Sequence, residues 1–242
     1  MVFLWYHLPM KKRNIKFKKN KYKYVMLTGI ELNIDSLEEI SKIVSDSLRN
    51  NKILEAGQLE YTFTQLDPVH NELDILDGSK TITKILSVQI NNYYFEPGDL
   101  IAINNNAQKI FVEDGVYGIQ GVKEPGQLDY ICNRLKNSYM FDKDTLPTLL
   151  DKAVFLWMRL AKNQSFQNGN KRTALLAMSL YLYMNYVNLS SSLSLLNIYE
   201  QYSIMIAKDE IGADELKNFL SKNISYDFDR SSEDYINYVL LS

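Results

Sequence analysis

The sequence predicts a mainly α fold with a little β. Three observations predict it. Apolar residues recur at helical spacing through 146–162, an apolar run fills 174–187, and β-branched and aromatic residues concentrate at 81–95. A chain of 242 residues is one large domain or two small ones, and 46% apolar with 23% charged residues excludes wholesale disorder and fibrous architectures.

The elements follow in order. Residues 11–23 hold Lys11, Lys12, Arg13, Lys16, Lys18, Lys19, Lys21 and Lys23, and the first acid is Glu31, so an acidic body carries a basic arm. Such an arm can grip nucleic acid or an anionic surface, or it is a solvated, unordered terminus, or Met26 is the natural start. Residues 36–50 read as a helix capped by Ser36, with Leu37, Ile40, Ile43, Val44 and Leu48 on one face. Residues 56–80 are mixed, and 81–95 has strand character ended by Glu96-Pro97-Gly98.

Residues 109–120 read as a hairpin, with Ile110-Phe111-Val112 and Val116-Tyr117 flanking Asp114-Gly115, a pair suited to a tight I′ turn. Helices are expected at 127–136, at 146–162, from the end of a 163–169 loop to about Val187, at 194–207 and at 213–220. The apolar run 174–187 reaches about 21 Å, short of a roughly 30 Å hydrocarbon core, so it reads as a buried helix and not a membrane span. The apolar stretch at 1–10 precedes its charges, the reverse of a secretory signal. One cysteine, Cys132, excludes an intrachain disulfide framework, and two histidines, His7 and His70, argue against a histidine-rich metal site. A reducing, cytoplasmic setting fits.

One segment carries chemistry: Gln164-Ser165-Phe166-Gln167-Asn168-Gly169-Asn170-Lys171-Arg172. It pins a polar loop between two apolar helices, with Asn168 as the expected N-cap and Gly169 permitting close backbone approach. Lys171 and Arg172 add positive charge where the helix dipole is already positive. An anion held by backbone N–H groups, an ammonium and a guanidinium would explain that; so would cations that simply reach water or pair with acids of the body.

This segment resembles the active-site motif of the Fic/Doc family in its Doc (death-on-curing) form, H-x-F-x-[D/N]-[A/G]-N-K-R. Phe166, Asn168, Gly169, Asn170, Lys171 and Arg172 match the constrained positions, and Gly118-Ile119 and Gly126-Gln127-Leu128 look like the family's glycine-rich approach. The resemblance spans roughly 99–222. It divides the chain into a basic arm at 1–26, an α/β extension at 27–98, a Fic/Doc-like domain at 99–222 and a tail at 223–242.

The resemblance implies a helical fold whose central helix binds nucleotide phosphates at its N-terminal loop. It implies transfer of phosphate or AMP from ATP, or another nucleoside triphosphate, to a protein hydroxyl. A translation factor is the implied target of a growth-arresting toxin, with a separate antitoxin partner. Phe166 would be a core anchor, Asn168 the Mg²⁺-facing position, Gly169 and Asn170 the anion hole, and Lys171 and Arg172 the phosphate clamp. Ile110, Phe111, Val112, Asp114 and Gly115 would form the target-docking flap. No glutamate is followed by Gly or Asn, so the family's inhibitory motif, which needs that pair, is absent.

Two positions depart from the histidine and aspartate of other members. Gln164 stands at the general-base histidine, and an amide has no usable basicity near pH 7. Asn168 offers a neutral carbonyl, a weaker ligand for a hard cation than a carboxylate. The sequence therefore leaves two readings: a transferase with impaired or altered chemistry, and a Fic-fold module that binds a nucleotide, phosphate or protein without transfer. His70 is the only other base candidate outside the arm, and Cys132 reads as an inert core thiol.

Overall fold

The computed structural model describes residues 14–29, 33–50, 59–110 and 121–239. The chain forms two compact units, residues 1–92 with 185–188 and 225–242, and residues 93–184 with 189–224. The second unit is thus inserted into the first.

In the first unit, β1 (Ile15–Phe17) and β2 (Asn20–Tyr22) form a tight antiparallel ribbon. The arm expected to be unordered through 26 is therefore structured from residue 14: the alternation of apolar and basic residues turns Ile15 and Tyr22 into the core. β3 (Tyr24–Thr28) follows, then α1 (Ile34–Asn50). Its cap is Asn33 and not Ser36. Ser36 N donates to Asn33 Oδ1 and Asn33 N to Ser36 Oγ, each at 2.9 Å, a reciprocal box that satisfies two otherwise unpaired donors.

β4 (Glu60–Gln65), β5 (His70–Asp77) and β6 (Lys80–Gln89) complete a four-stranded sheet in the order β3-β6-β5-β4. β6 pairs with β5 antiparallel and with β3 parallel. Gly78, at φ 56, permits the two-residue turn between β5 and β6. Tyr22, Val25, Leu27, Leu86 and Val88 pack as one apolar cluster.

The second unit is helical: α2 (Pro97–Ile110), α3 (Pro125–Lys136), α4 (Leu149–Lys162), α5 (Asn170–Met184) and α6 (Leu193–Ala207), with α7 (Ala213–Lys222) after it. A short hairpin of β7 (Tyr139–Met140) and β8 (Lys143–Asp144) joins α3 to α4. Lys109 and Ile110, expected to open the flap hairpin, are instead the last residues of α2. The α2 face of Leu100, Ile103 and Ala107 favours continuing the helix to that point. Phe111, Val112, Asp114 and Gly115 lie outside the described residues.

Thr148 caps α4, with Asp151 completing the box. Lys152 is buried on α4 and donates to the carbonyl of Leu135 at 3.1 Å, satisfying a group at the end of α3. Burial holds that ammonium below its ordinary range. α5 packs against α2, α4 and α6 and buries Thr173, Ala174, Ala177, Met178, Tyr181 and Leu182, so the central apolar helix is present. It ends at Met184; Val187, expected near its end, begins β9 (Val187–Leu189), since Tyr186 adopts φ 61, outside the helical region. Trp157 of α4 donates to Ser203 Oγ of α6 at 2.9 Å.

After β10 (Ile224–Tyr226) the chain returns to the first unit as α8 (Phe228–Asp234) and a π-helical turn at Tyr235–Val239. Within the segment set apart as a tail, Ile224, Tyr226, Phe228 and Tyr235 are buried. α8 packs on β3, whose second edge it satisfies: Val25 N donates to Ser232 Oγ, Leu27 N to Ser231 Oγ, and Ser231 Oγ to Val25 O. Those hydroxyls cover a strand edge that would otherwise be bare. The architecture is mainly α, and no helix of the described residues is long and apolar enough to cross a membrane.

Candidate active site at the start of α5

The loop from α4 to α5 is polar, yet its backbone is heavily bonded. Asn163 closes α4 and donates to Gln127 Oε1 of α3 at 3.0 Å. Gln164 follows at φ 47, a left-handed conformation that reverses the chain, and its side chain is exposed. Ser165 and Phe166 are then driven inward, to 0% and 1% exposure. The carbonyl of Ser165 accepts N–H bonds from Lys123 (2.8 Å) and Glu124 (3.1 Å), Gln167 N donates to Gly121 O (3.0 Å), and Val122 bridges Phe166. The loop is laced to residues 121–124.

Asn170 makes the central clamp. Its Oδ1 accepts from Phe166 N at 2.9 Å and its Nδ2 donates to Phe166 O at 2.8 Å. A side-chain amide thus takes the place of a neighbouring strand. Gly169 stands at φ 75, and its carbonyl accepts the first helical bond, from Thr173 N at 2.8 Å. Gly169 is therefore the N-cap residue and Asn168 precedes it, a correction to the expected cap. Asn168 still serves the turn: its Oδ1 accepts from Gly169 N at 2.7 Å.

Two residues that sequence reasoning did not single out hold this arrangement. Asn104 of α2 is 1% exposed and donates to Asn168 O (3.0 Å) and Thr173 Oγ1 (2.8 Å). Thr173, fully buried, donates from Oγ1 to Gly169 O at 2.9 Å. The available signal was a polar residue, Asn104, set among the apolar positions Leu100, Ile103 and Ala107 of one helix.

The consequence is electrostatic. The first N–H groups of α5 lie ahead of its internal hydrogen-bond ladder, the dipole is positive there, and no acid occupies the first turn. Lys171, exposed, and Arg172, half-buried, are consecutive in that turn. The residues present suit an anion: backbone donors, an ammonium and a guanidinium at one helix end. Among the described residues no group of three or more His, Cys, Asp and Glu could hold a metal ion. The side-chain carbonyl of Asn168, the expected Mg²⁺-facing position, accepts the bond from Gly169 N.

The structure brings Phe166, Asn168, Gly169, Asn170, Lys171 and Arg172 into this turn, with Gln164 at its entrance. His70 belongs to the other unit, at the start of β5. Its Nδ1 lies 2.8 Å from Asp67 Oδ1, and its ring stacks on Phe17 with centroids 4.2 Å apart. Cys132 is buried, and burial pushes its thiol up to about 12, the state of an inert core thiol.

The stretch from just before α2 into the end of α5 is what a comparison with protein-family models recovers. Residues 94–182 match the model of the Fic/DOC family. The Fic/DOC match contains α2, α3, α4, the loop and nearly all of α5, so every residue of the anion-suited turn lies inside it. No curated protein matches the chain.

Proposed function

We propose that the Fic/DOC domain binds a nucleoside triphosphate through its phosphates at the N-terminus of α5 and transfers phosphate or AMP to a protein hydroxyl. What supports this reading is the placement of Lys171 and Arg172 in the first turn of a helix, at the positive end of its dipole, behind a loop fixed by the Asn170 clamp. Lys171, Arg172 and the backbone N–H groups would hold the phosphates and stabilise charge that develops as the bond to the leaving group breaks. Asn104 and Thr173 would keep that donor set in place before substrate arrives.

Transfer forms a bond from the target oxygen to the γ or α phosphorus and releases the nucleoside diphosphate or pyrophosphate. With a non-basic amide at position 164, the hydroxyl proton leaves to water or to a phosphate oxygen. A positioned base contributes typically 10²–10⁴-fold, so turnover is slow in this chain. Phosphoryl transfer leans mainly on positioning and charge stabilisation, which leaves room for residual activity. A translation factor as target and a toxin role under antitoxin control belong to the same reading. A second reading, a binding module without transfer, draws on the same Gln164 and on the neutral Asn168.

The test is a transfer assay in bacterial lysate with ATP labelled at the α or the γ phosphate, using the chain as it stands beside Gln164→His. Faint protein labelling that rises sharply in Gln164→His is the expected result, and the labelled position names the transferred group. No labelling by either protein, with ATP still bound in calorimetry, favours the binding module. Absence of ATP binding overturns the anion site itself.

A further inference from the structure

The β1–β2 ribbon of the first unit has two unlike faces. Ile15 and Tyr22 point into the apolar cluster with Val25, Leu27, Leu86 and Val88, and Phe17 lies against His70. Asn20 Nδ2 and Tyr22 Oη both donate to Glu72, at 3.2 and 2.6 Å, which anchors the ribbon to β5. The side chains between them, Lys16, Lys21 and Lys23, stand on the outer face, and Lys18 and Lys19 form the turn; all five are exposed. Lys18 is committed, donating to Leu66 O at 2.8 Å and pairing with Asp67 at 3.4 Å. Lys23 lies over the Tyr24 ring. Lys16, Lys19 and Lys21 have no ion-pair partner among the described residues.

The register sharpens this. Lys16 pairs directly opposite Lys21, a like-charge cross-strand pair that destabilises an antiparallel ladder. A lysine or two on a strand edge would suffice to block edge pairing. Here the charges instead fill an outer face and its turn, and the chain outside residues 11–23 is acidic. We propose that this face binds the phosphodiester backbone of duplex nucleic acid, independent of sequence. Lys16 and Lys21 stand side by side across the ladder with Lys19 at its turn, one cluster of positive charge suited to the closely spaced phosphates of a duplex. An anionic membrane is the poorer fit, since an interfacial element sets large apolar side chains beside its cations, and Ile15 and Tyr22 are buried.

The test uses the full chain, a 20-base-pair DNA duplex of arbitrary sequence and fluorescence anisotropy across a salt series. Three phosphate contacts predict that affinity falls roughly 40-fold between 50 and 200 mM salt. Changing Lys16, Lys19 and Lys21 together to Gln should flatten the slope of log affinity against log salt by about 2.7, at about 0.9 per contact. The matching triple change to Arg should keep both slope and affinity. These side chains are exposed, and an unchanged circular-dichroism melt checks the fold. Unaltered duplex binding by the Gln variant overturns the proposal. So does binding to phosphatidylserine vesicles in place of DNA, or a Gln variant whose only change is aggregation.

Discussion

Gln164 and His70 are held in opposite ways. Gln164 stands exposed on left-handed backbone at φ 47, at the mouth of a loop whose neighbours are all bonded. His70 sits at the start of a strand, its ring nitrogen 2.8 Å from Asp67 and its face covered by Phe17. A general base needs a free nitrogen within reach of a substrate proton. Position 164 carries an exposed amide, and position 70 a ring already held by Asp67 and Phe17. The structural investment is at the loop: Asn104, Asn170 and Thr173 organise the turn that opens onto Lys171 and Arg172.

The sharpest way to break that contrast is to exchange the two roles. Gln164→His should raise transfer by about 10²–10⁴-fold, read as initial labelling rate, while His70→Gln leaves the rate of either background unchanged. Loss of transfer in His70→Gln would show that the strand histidine participates after all. Next in size, Lys171→Ala with Arg172→Ala should weaken ATP binding by about 10²–10⁴-fold, as two charge-assisted bonds at roughly 1.5–3 kcal/mol each imply. Calorimetry reads the affinity, and the melting curve should stay in place, because the change lies at a polar helix start. Asn104→Ala should lower stability by about 1–3 kcal/mol through the unpaired buried groups it leaves, measured by denaturant unfolding.

The smallest effect lies at the strand histidine's partner. Desolvation pushes the Asp67 carboxyl up, but bonds from the His70 ring and the Val69 and His70 backbone outweigh it and hold the group well below the usual range. Glu72 is also desolvated, and Lys84 and Tyr22 more than offset that, lowering it too. Carboxyls lowered in the folded state contribute stability that is present above about pH 4 and lost as pH falls through their folded values. Asp67→Asn should therefore lower stability at neutral pH and flatten part of the acid limb, so that the two stability profiles, read by denaturant unfolding, converge as pH falls below about 4.

Legibility in the sequence followed the range of the interactions. α4 and α5 were visible because their apolar spacing is local, and the loop between them because residues 164–172 are contiguous. The sheet was not: β3 pairs with β6 across sixty residues, and α8 supplies hydroxyls to Val25 and Leu27 from two hundred residues away. Neither pairing leaves a trace in any short window. Lys109 and Ile110 were misplaced because the Asp114-Gly115 turn signal drew the hairpin boundary into the end of a helix. Asn104 was missed because its partners, Asn168 O and Thr173 Oγ1, lie more than sixty residues on.

The covering of β3 by α8 has a consequence for how the chain is made. Every strand of the four-stranded sheet has been synthesised by Gln89, but Ser231 and Ser232 come only after the whole second unit. At usual ribosomal speeds that interval is on the order of ten seconds. Through it, the donors of Val25 and Leu27 and the acceptor of Val25 lack their hydroxyl partners. A nascent chain that stalls between residues 93 and 230 would carry a raw β-edge, open to pairing with another chain, until translation resumes or a chaperone shields it.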